Sequence, residues 1–369
     1  LRGAAAPRPR AGAMSPMQRL CEDLAGLGPG PGARAWLRAQ VGCWAFLVAV
    51  TVHSAHRWAA HWGSPHRHGV IVLGSCKTFG FMLMDVVAIA ALLLAQRGVE
   101  RPRAKGGLEE RAEARLEEKA QSLLVSGFVL AAVEGAHWVL WLWDQRLRRQ
   151  RLLVASMASA CVVLTKPGLM CAFLPALAGR EEAQLIVEEL LAEVRGGKLD
   201  WDELLIRYAR AEARISELAA RSSPAVGCLL LALLLGALLH GVAVWFWVER
   251  LSFVPSAAVN VNYALAALYG LLFLRSYFAF TGFGALHGQL VGSVAGRLRE
   301  CPPGEVEKVV QAFHYLRARS LRWSLHVGPG KLDLDELKGR YLSVAFVGNL
   351  GAKLVPRLRR PPAAAGAPA

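Results

Sequence analysis

Apolar blocks of membrane-spanning length alternate along the chain with shorter polar connections. Residues 226–248 (VGCLLLALLLGALLHGVAVWFWV) hold no Asp, Glu, Lys or Arg, and an apolar run of 18 or more residues reads as a membrane-spanning helix. Seven blocks are predicted to span: 39–56, 69–95, 121–143, 152–178, 224–248, 256–284 and 339–355. The last, GRYLSVAFVGNLGAKLV, is the weakest. It rises only about 25 Å at 1.5 Å per residue, short of the ~30 Å hydrocarbon core.

The connections carry patterns of their own. In 179–223, Asp200 with Glu203 three residues on is a helix start. Leu204, Tyr208, Ala211, Ile215 and Leu218 then recur at spacings of four and three, a coiled-coil-like seam on a helix that runs straight into span five. An upstream helix, 181–195, gathers Val187, Leu190, Leu191 and Val194 on one face, and the loop after span six repeats the pattern with Val306, Val309, Phe313 and Leu316. Such stripes are buried against each other, against a neighbouring subunit or against a partner; in the second case Leu204, Tyr208, Ile215, Val309 and Phe313 form an oligomer anchor. After a helix through 313–323, Gly328-Pro329-Gly330 breaks the chain, and Asp333 with Glu336 restarts a helix that climbs into the last block. Residues 97–120 mix both charge signs and read as a solvated helix.

The predicted organisation is therefore all-α and polytopic, with seven transmembrane helices and helical extensions on one side. A disordered segment spans 1–35, transmembrane helices one to four 36–178, a helical anchor region 179–223, and helices five and six 224–290. A second anchor region spans 291–338, a short seventh helix 339–356, and a disordered tail 357–369.

Composition narrows the class. At 54% apolar and 19% charged residues, with mean hydropathy +0.33, the chain is neither a soluble globular enzyme, a disordered chain nor a secreted disulfide scaffold. The net charge of +15 is no nucleic-acid footprint, because no large polar domain carries it. It reports sidedness instead. With Arg340 and Lys353 counted as flanks of the last block, 29 Lys and Arg fall on the N-terminal side of the membrane, 11 on the other and three inside spans. The positive-inside rule places the N-terminus in the cytoplasm, and seven spans then put the C-terminus outside. The seven cysteines form no CxxC pair and read as free thiols. His53, His56, His61, His66 and His68 have no metal-site spacing, and no HExxH, GxSxG or phosphate-loop motif occurs. No enzyme, cofactor or metal centre is expected.

Ionisable residues inside spans are candidates for function. Glu134 and His137, three apart on span three, join Lys77, His240, Asn260, Asn262 and Tyr263 in the outer half of the bundle. Each alone is explained by hydrogen bonding between helices; together they suggest a ligand cavity with apolar walls and a few aimed polar groups. Lys77 opposite Glu134 is an expected ion pair. Asp85, Lys166 and Arg275 lie deeper, the set a secondary transporter would use. In the last block, Tyr341, Ala345, Asn349 and Ala352 share a small, weakly polar stripe, suited either to burial among neighbouring helices or to lining a pore between subunits.

These features resemble the insect odorant and gustatory receptor superfamily, and more specifically gustatory-receptor-like proteins. The stretch LLIRYARAEARISELAARSSPAVGCLLLALLL (204–235) resembles the helix leading into span five of those receptors, and GKLDLDELKGRYLSVAFV (330–347) resembles their final segment, with Tyr341 at the family's Tyr. Arg340 stands where the family has Thr, and Val347-Gly348 where it has Gln-Phe. The resemblance implies a homotetrameric ligand-gated cation channel in the membrane, with the plasma membrane favoured over an endomembrane. Its last helix would line a pore for monovalent or divalent cations, its cytoplasmic helices would form the anchor, and a small-molecule ligand would sit in the outer half among spans two to six. The alternatives from the residues themselves are a transporter and a non-conducting endomembrane scaffold.

Overall fold

The computed structural model describes residues 15–28, 30–60, 68–97, 107–144, 149–196, 200–250, 256–327 and 330–336. Ten helices and one hairpin follow in order among them: α1 (Pro16–Leu24), α2 (Pro31–Ala60), α3 (His68–Arg97), α4 (Gly107–Asp144), α5 (Arg149–Cys171), α6 (Leu174–Gly196), α7 (Trp201–Arg250), α8 (Ser256–Ala279), α9 (Phe283–Arg297), α10 (Val306–Ala318), β1 (Ser324–Val327) and β2 (Gly330–Asp333). Among the described residues, six segments are long and apolar enough to cross a membrane, on α2, α3, α4, α5, α7 and α8. The seventh expected span, and with it Tyr341, Ala345, Asn349 and Ala352, lies outside the described residues.

The bundle is organised around α7. Its 50 residues form one unbroken helix, about 75 Å long at 1.5 Å per residue, and Asp200 caps its start by accepting from the Asp202 N–H at 3.1 Å. Within the bundle α7 packs on α3 and α8, and below it on α6, α10 and β1; α4 and α5 form an antiparallel pair, and α2 lies on α3 and α5. Gly127 lets α4 and α5 meet: a Cβ there would stand 2.6 Å from Pro167 Cα.

Two spans end abruptly at the same level. α5 stops at Cys171 and α6 begins at Leu174. Pro175, in the first turn of α6, has no N–H to continue the α5 ladder and suits a helix start. The expected division, a span to 178 and a helix from 181, is thus shifted. Likewise α8 stops before Gly282, whose φ of +103° suits glycine. The two breaks touch through Phe173 and Phe280, ring centroids 6.4 Å apart, and Trp323 stacks on Phe280 and Phe283.

The expected disorder of 1–35 is overturned for residues 15–28. Ser15 and Gln18 form a capping box with Pro16 in the first turn, and Cys21, Ala25 and Leu27 are buried. Trp36 Nε1 donates to Leu24 O at 2.8 Å and Gln96 Nε2 to Gly26 O at 3.0 Å, so the Ala/Gly/Pro-rich composition conceals a docked helix. The expected helix through 313–323 also ends early, at Ala318. Leu321, Trp323 and Leu325 are buried and Arg322 exposed, a period of two rather than 3.6, and the chain forms the antiparallel pair Ser324↔Asp333 to Val327↔Gly330. Asp333 restarts a helix as expected, accepting at Oδ1 from the Asp335 N–H at 2.9 Å.

The apolar seam is satisfied inside the subunit. Leu204, Tyr208 and Val309 are fully buried, Ile215 is 1% exposed, and Phe313 packs partly buried against the same core. The stripe of α7 faces α6 and α10, which corrects its reading as an oligomer anchor: side chains buried within one chain have no face left for another. Residues 107–119 are not merely solvated either. Arg111, Arg115 and Lys119, on successive turns of α4, pair with Glu189, Glu188 and Glu181 of α6. On α10, Lys308 pairs with Asp202 at 2.7 Å, and that carboxylate raises the ammonium's pKa above its ordinary value.

Candidate functional site

Inside the bundle the polar side chains gather in one connected group. By helical rise they stand between about 9 and 25 Å from the helix ends remote from α6, α9 and α10. Lys166 on α5 lies 3.0 Å from Glu134 Oε2 on α4, and its Nζ donates to the Tyr269 hydroxyl of α8 at 2.9 Å. Tyr269 in turn donates to Glu134 Oε2 at 2.5 Å. The ammonium also sits 4.8 Å from the centre of the Trp44 ring and 5.6 Å from that of Tyr269, the attraction of a cation for an aromatic face. The side chains of Lys166 and Glu134 are 1% and 8% exposed, so each charge is tolerable only because the other is present.

A second branch adjoins this pair. The ring of His240 on α7 stacks on Tyr269 at 5.7 Å and 19°. Its Nδ1 lies 2.9 Å from Asn262 Oδ1, and Asn262 Nδ2 lies 3.2 Å from His137 Nδ1. With the amide so placed, His240 donates from Nδ1 and His137 accepts at Nδ1. The imidazoles meet edge to face at 5.7 Å, and Phe81 closes the side of His240 at 5.1 Å. One chain of contacts thus joins α4, α5, α7 and α8, with α2 and α3 supplying aromatic walls.

The placement of the expected residues divides. Glu134, His137, His240 and Asn262 come together. Asn260 is exposed, and Tyr263 is half-buried outside the contacts just described. The Lys77 side chain, and with it the expected pairing of Lys77 with Glu134, lies outside the described residues; among the described residues Glu134 pairs with Lys166, a member of the expected deeper set. That set itself divides, since Asp85 lies in the fields of Lys166 and Glu134 while Arg275 is exposed and donates to Ser126 Oγ at 3.1 Å. Three charges in no common chain make a poor transport path. Sequence reasoning missed Tyr269 and Trp44, whose roles depend on which helices are neighbours. Among the described residues no group of His, Cys, Asp and Glu is arranged to hold a metal ion.

The solved structure of the insect olfactory receptor OR5 from Machilis hrabei matches with a TM-score of 0.53 over 93% of this chain and 96% of that chain. The fold is that of an insect olfactory receptor. Sequence identity is 9%, so the likeness is one of architecture. No family model matches the chain, and no curated protein matches it in sequence. The olfactory-receptor fold agrees with the superfamily resemblance carried by residues 204–235 and 330–347, and with an all-helical membrane protein.

Proposed function

We propose that the chain is a subunit of a chemoreceptor-like cation channel, opened by a small molecule that engages the polar group inside its helix bundle. The observation that carries this reading is the olfactory-receptor fold over 93% of the chain. Apolar walls with a few convergent polar groups suit recognition of a small ligand, and His137, His240, Asn262 and Glu134 are such groups. In this reading the N-terminus is cytoplasmic, four copies assemble in the plasma membrane, and Tyr341, Ala345, Asn349 and Ala352 line the pore. Subunit contacts below the membrane use side chains the chain leaves exposed, such as Ile206 and Val306, rather than the buried seam. A ligand favours opening in proportion to its differential affinity for the open and closed states.

The test is electrical. The full chain, reconstituted in planar bilayers, is expected to show cation-selective openings whose frequency rises with an activating compound from a panel of small volatile and polar molecules. Ala345→Trp or Asn349→Trp should abolish or shrink the unitary current while leaving the amount of folded protein unchanged. Unitary currents identical in wild type and both variants would refute the pore assignment.

A further inference from the structure

Counting charges around Lys166 leaves a remainder. Two carboxylates, Asp85 on α3 and Glu134 on α4, share the interior with one ammonium. Lys166 is already committed to Glu134, to the Tyr269 hydroxyl and to the Trp44 ring. Asp85 is 5% exposed, and among the described residues no hydrogen bond reaches its carboxylate and no cationic nitrogen lies within 4.0 Å; Lys166 and Glu134 act on it only through their fields.

The other titratable groups around it are engaged elsewhere. His240 on α7 and His137 on α4 are bridged by Asn262. Cys43 on α2 faces Cys161 on α5. Tyr269 on α8 donates its proton to Glu134, and Arg275 on α8 is exposed at Ser126. Lys77, eight residues earlier on α3, has its side chain outside the described residues. A second unsatisfied group stands beside the same ammonium: Trp44 is fully buried and its indole N–H has no acceptor among the described residues. Buried polar groups are normally partnered, and an exception in a native fold asks for an unseen ion or water.

We propose that Asp85 anchors a site for one exchangeable monovalent cation taken from solution. The required chemistry is a single positive charge that neutralises the carboxylate. Sodium and the proton both supply it. A sodium ion also brings water into a region that holds an unpartnered indole N–H, and sodium is therefore the first arm of the test. The site depends on the geometry of the bundle and stands whether or not the chain conducts.

The experiment is thermal unfolding of the purified full-length chain in detergent, wild type against Asp85→Asn. It is run in sodium chloride and in choline chloride of equal ionic strength, across a range of pH. A ligand bound only by the folded state raises the melting temperature. Wild type is expected to melt about 3 °C or more higher in sodium than in choline, and Asp85→Asn to lose that difference while melting at least as high as wild type in choline. If the proton is the cation, sodium and choline give equal melts. Wild type then loses stability relative to Asp85→Asn as the pH rises, because the folded chain alone keeps the proton. A wild-type melt indifferent to both sodium and pH overturns the site without any variant. So does an Asp85→Asn chain that keeps both dependences, or one that melts well below wild type in every buffer.

Discussion

Two regions of the molecule use ion pairs, and they use them differently. Where α4 meets α6, Arg111, Arg115 and Lys119 face Glu189, Glu188 and Glu181 in a ladder, with Arg180 as a further partner of Glu181. Several of these heads are wet: the Arg115 side chain is 41% exposed and that of Glu188 31%. Within the bundle, among the described residues, there is one pair, Glu134–Lys166, with almost no exposure. The ladder is redundant, so losing a rung leaves other partners and water. The buried pair has no substitute, and losing one member strands a charge.

Lys166→Ala should have the largest effect, about 3–5 kcal/mol for an uncompensated buried carboxylate, read as collapse of the folded fraction in detergent. The double variant Glu134→Leu with Lys166→Met should recover much of it, because it leaves no stranded charge. Gly127→Val should come next, at about 1–3 kcal/mol for a side chain driven into Pro167. It would also separate α4 from α5 and weaken the pair indirectly. Asp335→Ala should cost about 0.5–2 kcal/mol, as loss of a helix cap: this carboxylate accepts from the Gly282 N–H at 2.7 Å and the Gly284 N–H at 2.9 Å, closing the start of α9. Arg115→Ala should be smallest, about 0–1 kcal/mol, and that small effect should shrink further in high salt. If Arg115→Ala proved as damaging as Lys166→Ala in the same melts, the contrast between wet and dry pairs would be wrong.

Asp335 has a second significance. Tyr277 donates to Leu334 O, Arg322 pairs with Asp333 at 2.5 Å, and the His326 N–H donates to Ser223 Oγ at 2.9 Å. The Arg322–Asp333 pair closes the hairpin on itself, and the other contacts fasten His326, Leu334 and Asp335 to α7, α8 and the break before α9. In the channel reading, the entry to the last helix is therefore tied to the lower end of a helix that carries Tyr269 and Asn262. Asp335→Asn should shift ligand sensitivity more than it shifts unitary current, because the residue lies in that linkage rather than on the proposed pore stripe.

Much of the fold was legible because spans declare themselves by length. The six described crossings fall where the apolar blocks predicted them, and the unbroken run of α7 followed from the spacing of Leu204, Tyr208, Ala211, Ile215 and Leu218. What failed was what depends on neighbours. The docked helix α1 has the composition of a disordered segment, and only its capping box and the apolar Cys21 and Leu27 hinted otherwise. The hairpin hid in Leu321, Trp323 and Leu325, whose period of two is too short to stand out after a helix. The pairing of Glu134 with Lys166 was not legible because depth alone cannot say which helices touch. The antiparallel pairing of α4 and α5 through four intervening residues, with Gly127, Gly135 and Ser159 as small contact residues, was the signal that pointed to Lys166.

The central claim is that this olfactory-receptor fold serves as a channel whose final helix crosses the membrane beside the pore. The most direct measurement is the side of the membrane on which the C-terminus lies, read from an epitope after Ala369 in intact and permeabilised cells, with surface delivery shown by an independent label. The account predicts staining of intact cells. Staining only after permeabilisation would mean that 339–355 does not cross, and a pore lined by Ala345 and Asn349 would be contradicted.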